Sequence, residues 1–413
     1  DQRSLTINGF HLSDEGDRQL APILFRGLLG LNPPQGTHDK LRAAINEKSF
    51  QWHQRYRTID GYNVYGGRSA LAYQPGKGPF ISERNAAPPY LSNFKVMQEE
   101  MSQRDVLTAN RDLRVWAVAG GVDHVIDDSN LPPVTPVPSN KPGANDDGTH
   151  VFLSGEQAIE KMTVHSGMKV NLFADEKQFP ELVSPVQMAW DTRGRLWVAV
   201  WPNYPERTPT STDGDKLLVF EDLDADGRAD KVTTFLDDLN CPTGFQFYKD
   251  GVIVVQAPDI WFVRDTNGDG RADWKERILM GLDSADSHHT ANAICHDPGG
   301  AIYLSDGVFH RTQIETAFGP VRNNDAAIFR YEPRTARFET YIPYGFANPH
   351  GRVFDRWGND LVTDATGNNT YFGAAVSGRL DYPAKHPGMR QFWERPSRPC
   401  AGTGILSSRH FPD

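Results

Sequence analysis

Cysteine is scarce in this sequence. The three present, Cys241, Cys295 and Cys400, stand far apart and form no CxxC or CxxCH, which excludes a zinc ribbon or a c-type haem within these residues and leaves room for at most one disulfide. Long apolar runs are missing too. No stretch reaches the roughly 18 residues a transmembrane helix needs, so no membrane span is visible. Nor are Lys and Arg concentrated anywhere: with 43 basic against 53 acidic residues, a net charge of −10 and a pI near 5.7, the chain lacks the clustered cations that bind phosphate backbones. Nucleic acid is therefore an unsuitable partner, and small polar or neutral ligands remain. An initiator methionine is absent as well. The chain opens at Asp1 and ends at Asp413 just after an apolar segment, so it reads as a piece of a longer polypeptide, with any signal peptide outside it.

What is present is enough chain for two or three domains with sizeable cores: 413 residues, 38% hydrophobic and 23% charged. The stretch 265–307 stands out, because it joins an acidic loop, a histidine pair and a strand. Asp265, Asn267, Asp269, Asp273 and Glu276 occupy positions 1, 3, 5, 9 and 12 of a loop whose sixth residue is Gly270. That spacing suits a hard cation such as Ca²⁺: oxygens at alternate positions curl round one ion, and the glycine makes the sharp turn. A second copy lies 43 residues upstream, with Asp222, Asp224, Asp226, Gly227 and Asp230, although Thr233 stands where the twelfth-position acid belongs. The downstream site is therefore expected to be the tighter. The segments before the loops, LLVFED and IWFVRD, are rich in branched and aromatic residues, so each loop leaves a strand and not a helix. Without a metal, both would be solvated acidic turns.

Taken in order, residues 1–30 read as a loop and a helix, capped by Ser13 or Asp14 and ended by Gly30. Residues 31–126 form a mixed helical and irregular region with helical patterning at 39–54 and 94–106. Its run RYRTIDGYNVYGGRS is aromatic and basic and suits a carbohydrate or partner surface as well as ordinary packing. Residues 127–150, dense in Pro, Asn, Asp and Gly, read as a linker. From residue 151 onward the chain is expected to be mainly β. Four segments repeat one grammar of apolar strand, Asp/Gly turn and apolar strand: QMAWDTRGRLWVAV, FQFYKDGVIVVQA, AICHDPGGAIYLSD and RVFDRWGNDLVTDA. Their turn glycines, Gly194, Gly251, Gly300 and Gly358, are 57, 49 and 58 residues apart. Hairpins at such intervals are the mark of β-propeller blades. Residues 165–413 hold about five blades at that spacing, so the propeller is expected to be incomplete in this chain.

Residues 165–413 also carry WPNYPERTP, NCPTGF, DTNGDGRAD, DSADSHHTAN, GVFHRTQIET, YGFANPHGRVFD and TDATGN. On these motifs the region resembles the propeller of the large membrane-bound-type dehydrogenases of Planctomycetes and Verrucomicrobia, which are similar to PQQ-dependent glucose/sorbosone dehydrogenases. The resemblance implies a histidine base, matched by His289 with Ile294 and Pro298 at the family's spacing, His288 being its neighbour. A histidine suits the task, since oxidising an alcohol by hydride loss needs a base of near-neutral pKa for the hydroxyl proton. It implies a PQQ contact at Asn348, in Gly345-Phe346-Ala347-Asn348-Pro349-His350-Gly351, where Ala347 replaces the family's Arg. The lost guanidinium is expected to be compensated by Arg352, His310 and Arg311, with His350 beside the catalytic pair. The resemblance further implies Ca²⁺, a sugar or alcohol substrate, electron transfer to a cytochrome c domain or carrier outside this fragment, and an extracytoplasmic location. Residues 1–30 resemble the last block of an SGNH (GDSL-type) hydrolase. There His11 stands as the base, and Asn8 replaces the family's Asp. Other functions fit the same residues: a metal-dependent hydrolase or lactonase, an SGNH-type esterase in the parent protein, or a non-catalytic carbohydrate-binding propeller.

Overall fold

The structure, a computed structural model, describes residues 4–57, 60–74, 78–82, 90–136, 145, 147, 149–365, 369–373, 379–394 and 402–407. Part of the expected linker, and Cys400, lie outside the described residues. The N-terminal region is helical. Ser13 accepts a hydrogen bond from Gly16 N and caps the helix Asp14–Leu29, which Gly30 ends in the left-handed conformation. The helix Asp39–Tyr56 packs on a long helix, Asn93–Ala119, through Arg104 to Gln51 (2.6 Å) and Arg114 to Glu47 (2.7 Å).

The second half is mainly β, a propeller of four four-stranded antiparallel blades among the described residues. Blade 1 comprises Pro185–Trp190, Leu196–Val200, Asp215–Glu221 and Lys231–Leu239. Blade 2 comprises Gly244–Tyr248, Gly251–Gln256, Asp259–Arg264 and Trp274–Met280. Blade 3 comprises Asn292–His296, Ile302–Asp306, Ala327–Glu332 and Arg337–Pro343, with a side hairpin, Gln313–Thr316 and Gly319–Arg322, between its second and third strands. Blade 4 comprises Gly351–Phe354, Asp360–Asp364, Asn369–Phe372 and Gln391–Trp393. Each segment singled out by the strand–turn–strand grammar is the first hairpin of a blade. The count of about five is corrected to four. The glycine intervals include the 201–214 loop and the side hairpin, which lengthen blades without adding to their number.

The repeated turn has a repeated cause. Asp191 Oδ1 accepts from the backbone N–H of Arg193 and Arg195, Asp297 Oδ1 from Gly299 and Ala301, and Asp355 Oδ1 from Trp357 and Asn359. One carboxylate thus closes each turn. The second strands are largely buried because both their faces are covered, and all five residues of Leu196–Val200, an entirely apolar strand, are buried. Apolar clusters fill the space between blades, with Trp197, Leu217 and Phe245 between blades 1 and 2, Ile260, Leu304 and Phe329 between 2 and 3, and Tyr303, Ile342 and Tyr371 between 3 and 4. The first strands of successive blades touch one another, so they lie innermost.

This topology fixes two ends. First strands begin, and second strands finish, at one end, which gathers the loops 201–214, 286–291, 307–312 and 344–350. Third strands run back to the other end, and both acidic loops, 222–230 and 265–273, follow third strands. A six-residue strand is roughly 20 Å long. The acidic loop and the histidine pair, adjacent in the stretch 265–307, therefore occupy opposite ends of the propeller.

Candidate functional site

At the loop end, a short 3₁₀ turn, Ser287–His289, leads into the first strand of blade 3. Asp286 caps it, accepting from His288 N at 3.1 Å. The Asp286 carboxylate is 1% exposed, and its Oδ2 stands 2.9 Å from His289 Nδ1 and 3.2 Å from Arg68 Nη1. Burial pushes this carboxyl up, but the bond and charge of His289, with Arg68 and His310 behind them, outweigh it and hold it below the usual carboxylate range. His289 is buried, while its neighbour His288 is exposed and holds Nδ1 2.9 Å from the Tyr204 hydroxyl. The two rings meet edge to face at 4.8 Å. Gly307 secures the turn from the adjoining loop by donating to His289 O at 3.0 Å. A Cβ there would stand 2.7 Å from that of His289, so the approach requires glycine.

His350 enters from the corresponding position one blade on, just before the first strand of blade 4. Burial, together with the charges of His289 and His288, pushes its imidazole down to about 4, so it is neutral near pH 7. The structure thus brings His288, His289 and His350 together. Asn348 is buried beside them: its N–H donates to Asp364 and its carbonyl accepts from the N–H groups of His350 and Ala365.

The other expected cofactor contacts are placed differently. His310 is wholly buried under the turn, with Nδ1 on Asp306 and Nε2 3.1 Å from Asp286 O. Burial would lower its pKa, but Asp306 and Asp283 raise it to about 9, so it is a charged support with both ring nitrogens in use. Arg311 is exposed, and its backbone N–H donates to Asp283. Arg352 has a fully buried side chain and is paired with Asp360 at 2.6 Å. It lies between blades 3 and 4 over the rings of Tyr303 and Phe354. Both His310 and Arg352 are corrected from cofactor contacts to internal supports.

Sequence reasoning missed the N-terminal contribution. Asp60 accepts from Ser287 N, Arg68 reaches Asp286, and Tyr62 stacks on Phe309 at 4.2 Å. These residues fall in the aromatic and basic run 55–69, whose composition was the only available signal. Half-buried Glu206, in the loop that carries Tyr204, is pushed well above the usual carboxyl range by burial and by the charges of Asp60 and Glu100. Tyr204 was noted only as part of a motif.

At the opposite end, Asp222, Asp224 and Asp226 each bring a carboxylate oxygen within 4.8 Å of the others. Asp222 Oδ1 is buried without a hydrogen-bond partner among the described residues. In the downstream loop, Asp265 accepts from the N–H groups of Gly268 and Gly270, and Asp273 closes the neck by accepting from Thr266. Glu276 lies in the strand that follows, opposite Phe262. Asp230 likewise closes its loop, accepting from Leu223 N. His11 of the N-terminal loop is bonded to Glu315 of the side hairpin at 2.6 Å, and Asn8 spends its side-chain oxygen on the N–H groups of Phe10 and His11.

No curated protein matches this sequence. Among solved structures, the PQQ domain of pyranose dehydrogenase from Coprinopsis cinerea is similar at 17% identity and a TM-score of 0.34, covering 53% of each chain. A family AA12 carbohydrate-active enzyme from Trichoderma reesei is similar at 11% identity and a TM-score of 0.34, over 48% of this chain and 53% of that one. A streptogramin B lyase is similar at 14% identity and a TM-score of 0.29, over 49% and 70%. The chain spans about half the length of the first two. At these scores the likenesses carry no functional argument. A family model matches residues 154–390, more than half of the chain and nearly all of the propeller, and the chain therefore belongs to the family described as Domain of unknown function (DUF7133).

Proposed function

We propose that the loop end of the propeller is a proton-transfer centre for a small hydroxylated substrate of the sugar or alcohol class, with His289 as base and Asp286 as the group that orients it. The observation that carries this reading is the 2.9 Å contact between His289 Nδ1 and a buried carboxylate. It leaves Nε2 without a hydrogen-bond partner among the described residues, available to take a proton. His288 with Tyr204, and neutral His350, supply further polar contacts for hydroxyl groups.

Oxidation of a hydroxyl carbon, the reaction the dehydrogenase resemblance implies, also needs a hydride acceptor. The residues present do not fit PQQ. A guanidinium for its carboxylates is missing at Ala347, Arg352 is committed to Asp360, and His310 is committed to Asp306. The same observation favours a second reading, in which the His289–Asp286 pair activates water against a lactone or related ester. The full-length protein should be assayed with an aldose and alcohol panel plus redox dye, with and without added PQQ and Ca²⁺, and with a lactone panel by proton release. Dye reduction supports the first reading, and acid release without dye the second. Inertness on both panels would sink the proposal.

Calcium fits better than PQQ. The orphaned Asp222 Oδ1 and its two neighbouring carboxylates match the oxygen ligands this ion takes, and we assign the ion a structural role at the end remote from the histidines. Calcium is expected to raise the melting temperature by mass action, and Asp224→Ala should remove one binding event and Asp269→Ala another in a calcium titration. Unchanged stoichiometry in both variants would overturn the assignment.

A further inference from the structure

We infer that the N-terminal segment Asp60–Arg68 is part of the propeller's reactive site, and that Arg68 is a positioning residue for the Asp286–His289 pair. This rests on the reading of His289 as a base. It assigns a role to residues that lie more than 200 positions before the turn they touch.

The contacts are specific to the turn that carries the histidines. The backbone N–H groups of Asp60 and Tyr62 donate to the carbonyls of Ser284 (2.7 Å) and Ala285 (2.5 Å), ahead of Asp286. The Asp60 carboxylate accepts from Ser287 N at 3.1 Å, just after it. Asp286 is thus held on both sides by one short segment. Tyr62 lies flat on Phe309, with rings 4.2 Å apart and 8° from parallel. Arg68 covers that stack, its guanidinium carbon 5.0 Å from the Phe309 ring centre and 5.8 Å from that of Tyr62. Phe309 in turn meets the His289 ring edge to face at 5.8 Å. The guanidinium is therefore fixed by two aromatic faces while Nη1 reaches the Asp286 oxygen nearest His289.

Two consequences follow from this geometry. First, Asp286 Oδ2 is shared between Arg68 and His289, so Arg68 keeps the carboxylate ionised and fixes where its oxygen points. Second, a guanidinium on the same oxygen that contacts Nδ1 fixes that oxygen beside the ring, so Arg68 sets where the imidazole is held. His289 faces Asp286 and His288 on its own turn and His350 from the start of blade 4, while Arg68 from the N-terminal segment reaches the Asp286 oxygen, Asp60 lies on Ser287 and charged His310 lies beneath Asp286. Of these, Arg68 is the cation on the oxygen that contacts His289.

The test uses Arg68→Met, which keeps the apolar stem and removes the charge, and Arg68→Lys, which keeps the charge. The Asp286 carboxyl is titrated by carbon NMR in the full chain, with its signal assigned through Asp286→Asn, so this readout needs no substrate. Arg68→Met should move the Asp286 titration to higher pH, because a lowering charge is removed, and Arg68→Lys should return it most of the way. Once a substrate is in hand, Arg68→Met should lower kcat roughly tenfold to 100-fold, the scale of a misplaced reactive group, with Arg68→Lys restoring most of the rate. An unchanged Asp286 titration in Arg68→Met overturns the inference, as does a loss of rate that Arg68→Lys does not restore, which would mark a purely structural role. If His289→Ala retains full activity, the reading of His289 fails instead. The Asp286 titration still decides whether Arg68 acts on the pair.

Discussion

His289→Ala is expected to lower turnover by roughly 10²–10⁴-fold, the scale of a lost general base, with the unfolding curve little changed. Asp286→Asn is expected to reach a similar loss by a different route. The ionised carboxylate 2.9 Å from Nδ1 can only accept, so it favours the tautomer with the proton on Nδ1 and the lone pair on Nε2, although Nδ1 does not meet it with hydrogen-bond geometry in this structure. An asparagine can turn its amide N–H groups toward Nδ1, which places the proton on Nε2 and leaves no base facing the substrate. The two variants should then differ on addition of imidazole, which can stand in for the missing ring in His289→Ala but cannot correct a tautomer in Asp286→Asn. Rates near wild type in both, measured on whichever substrate the panels identify, would remove the pair from the reaction.

The fold was legible where a local chemical device recurs. An aspartate that closes a turn onto its own backbone, followed by a second apolar strand, needs only about ten consecutive residues, and three of the four first hairpins share it. Blade number was less legible, because insertions such as the hairpin Gln313–Arg322 add length that spacing alone cannot tell from strand. The histidine turn was readable for the same local reason: Asp286 lies three residues before His289 and one turn of 3₁₀ helix brings them together. Arg68 was not readable. Its partner is 218 residues away, and nothing in the sequence around either residue encodes the docking of Tyr62 on Phe309. The acidic loops show a third case, in which the ligand spacing was plain but the end of the propeller was set by which strand each loop follows.

Arg352 is where a sequence match and the structure lead to different variants, and Arg352→Ala is expected to cost about 3–5 kcal/mol of stability, the usual consequence of breaking a buried ion pair. Its side chain is wholly buried. Nη2 is 2.6 Å from Asp360 Oδ2, and the guanidinium carbon stands 4.3 Å from the Tyr303 ring centre, 4.9 Å from that of Phe354 and 5.2 Å from that of Tyr341. Those aromatic faces take the place of hydrogen bonds at Nε and Nη1, neither of which has a partner among the described residues. Removing the cation leaves Asp360 buried, and burial already raises its carboxyl against the pull of Arg352. Part of the cost therefore belongs to the stranded carboxylate. The double variant Arg352→Met with Asp360→Asn, which strands no charge, should recover a measurable part of it. Urea denaturation of the two variants beside wild type reads this directly. If Arg352 were instead a cofactor contact, Arg352→Ala would unfold near the wild-type midpoint and lose only ligand affinity, and that result would return the residue to the site.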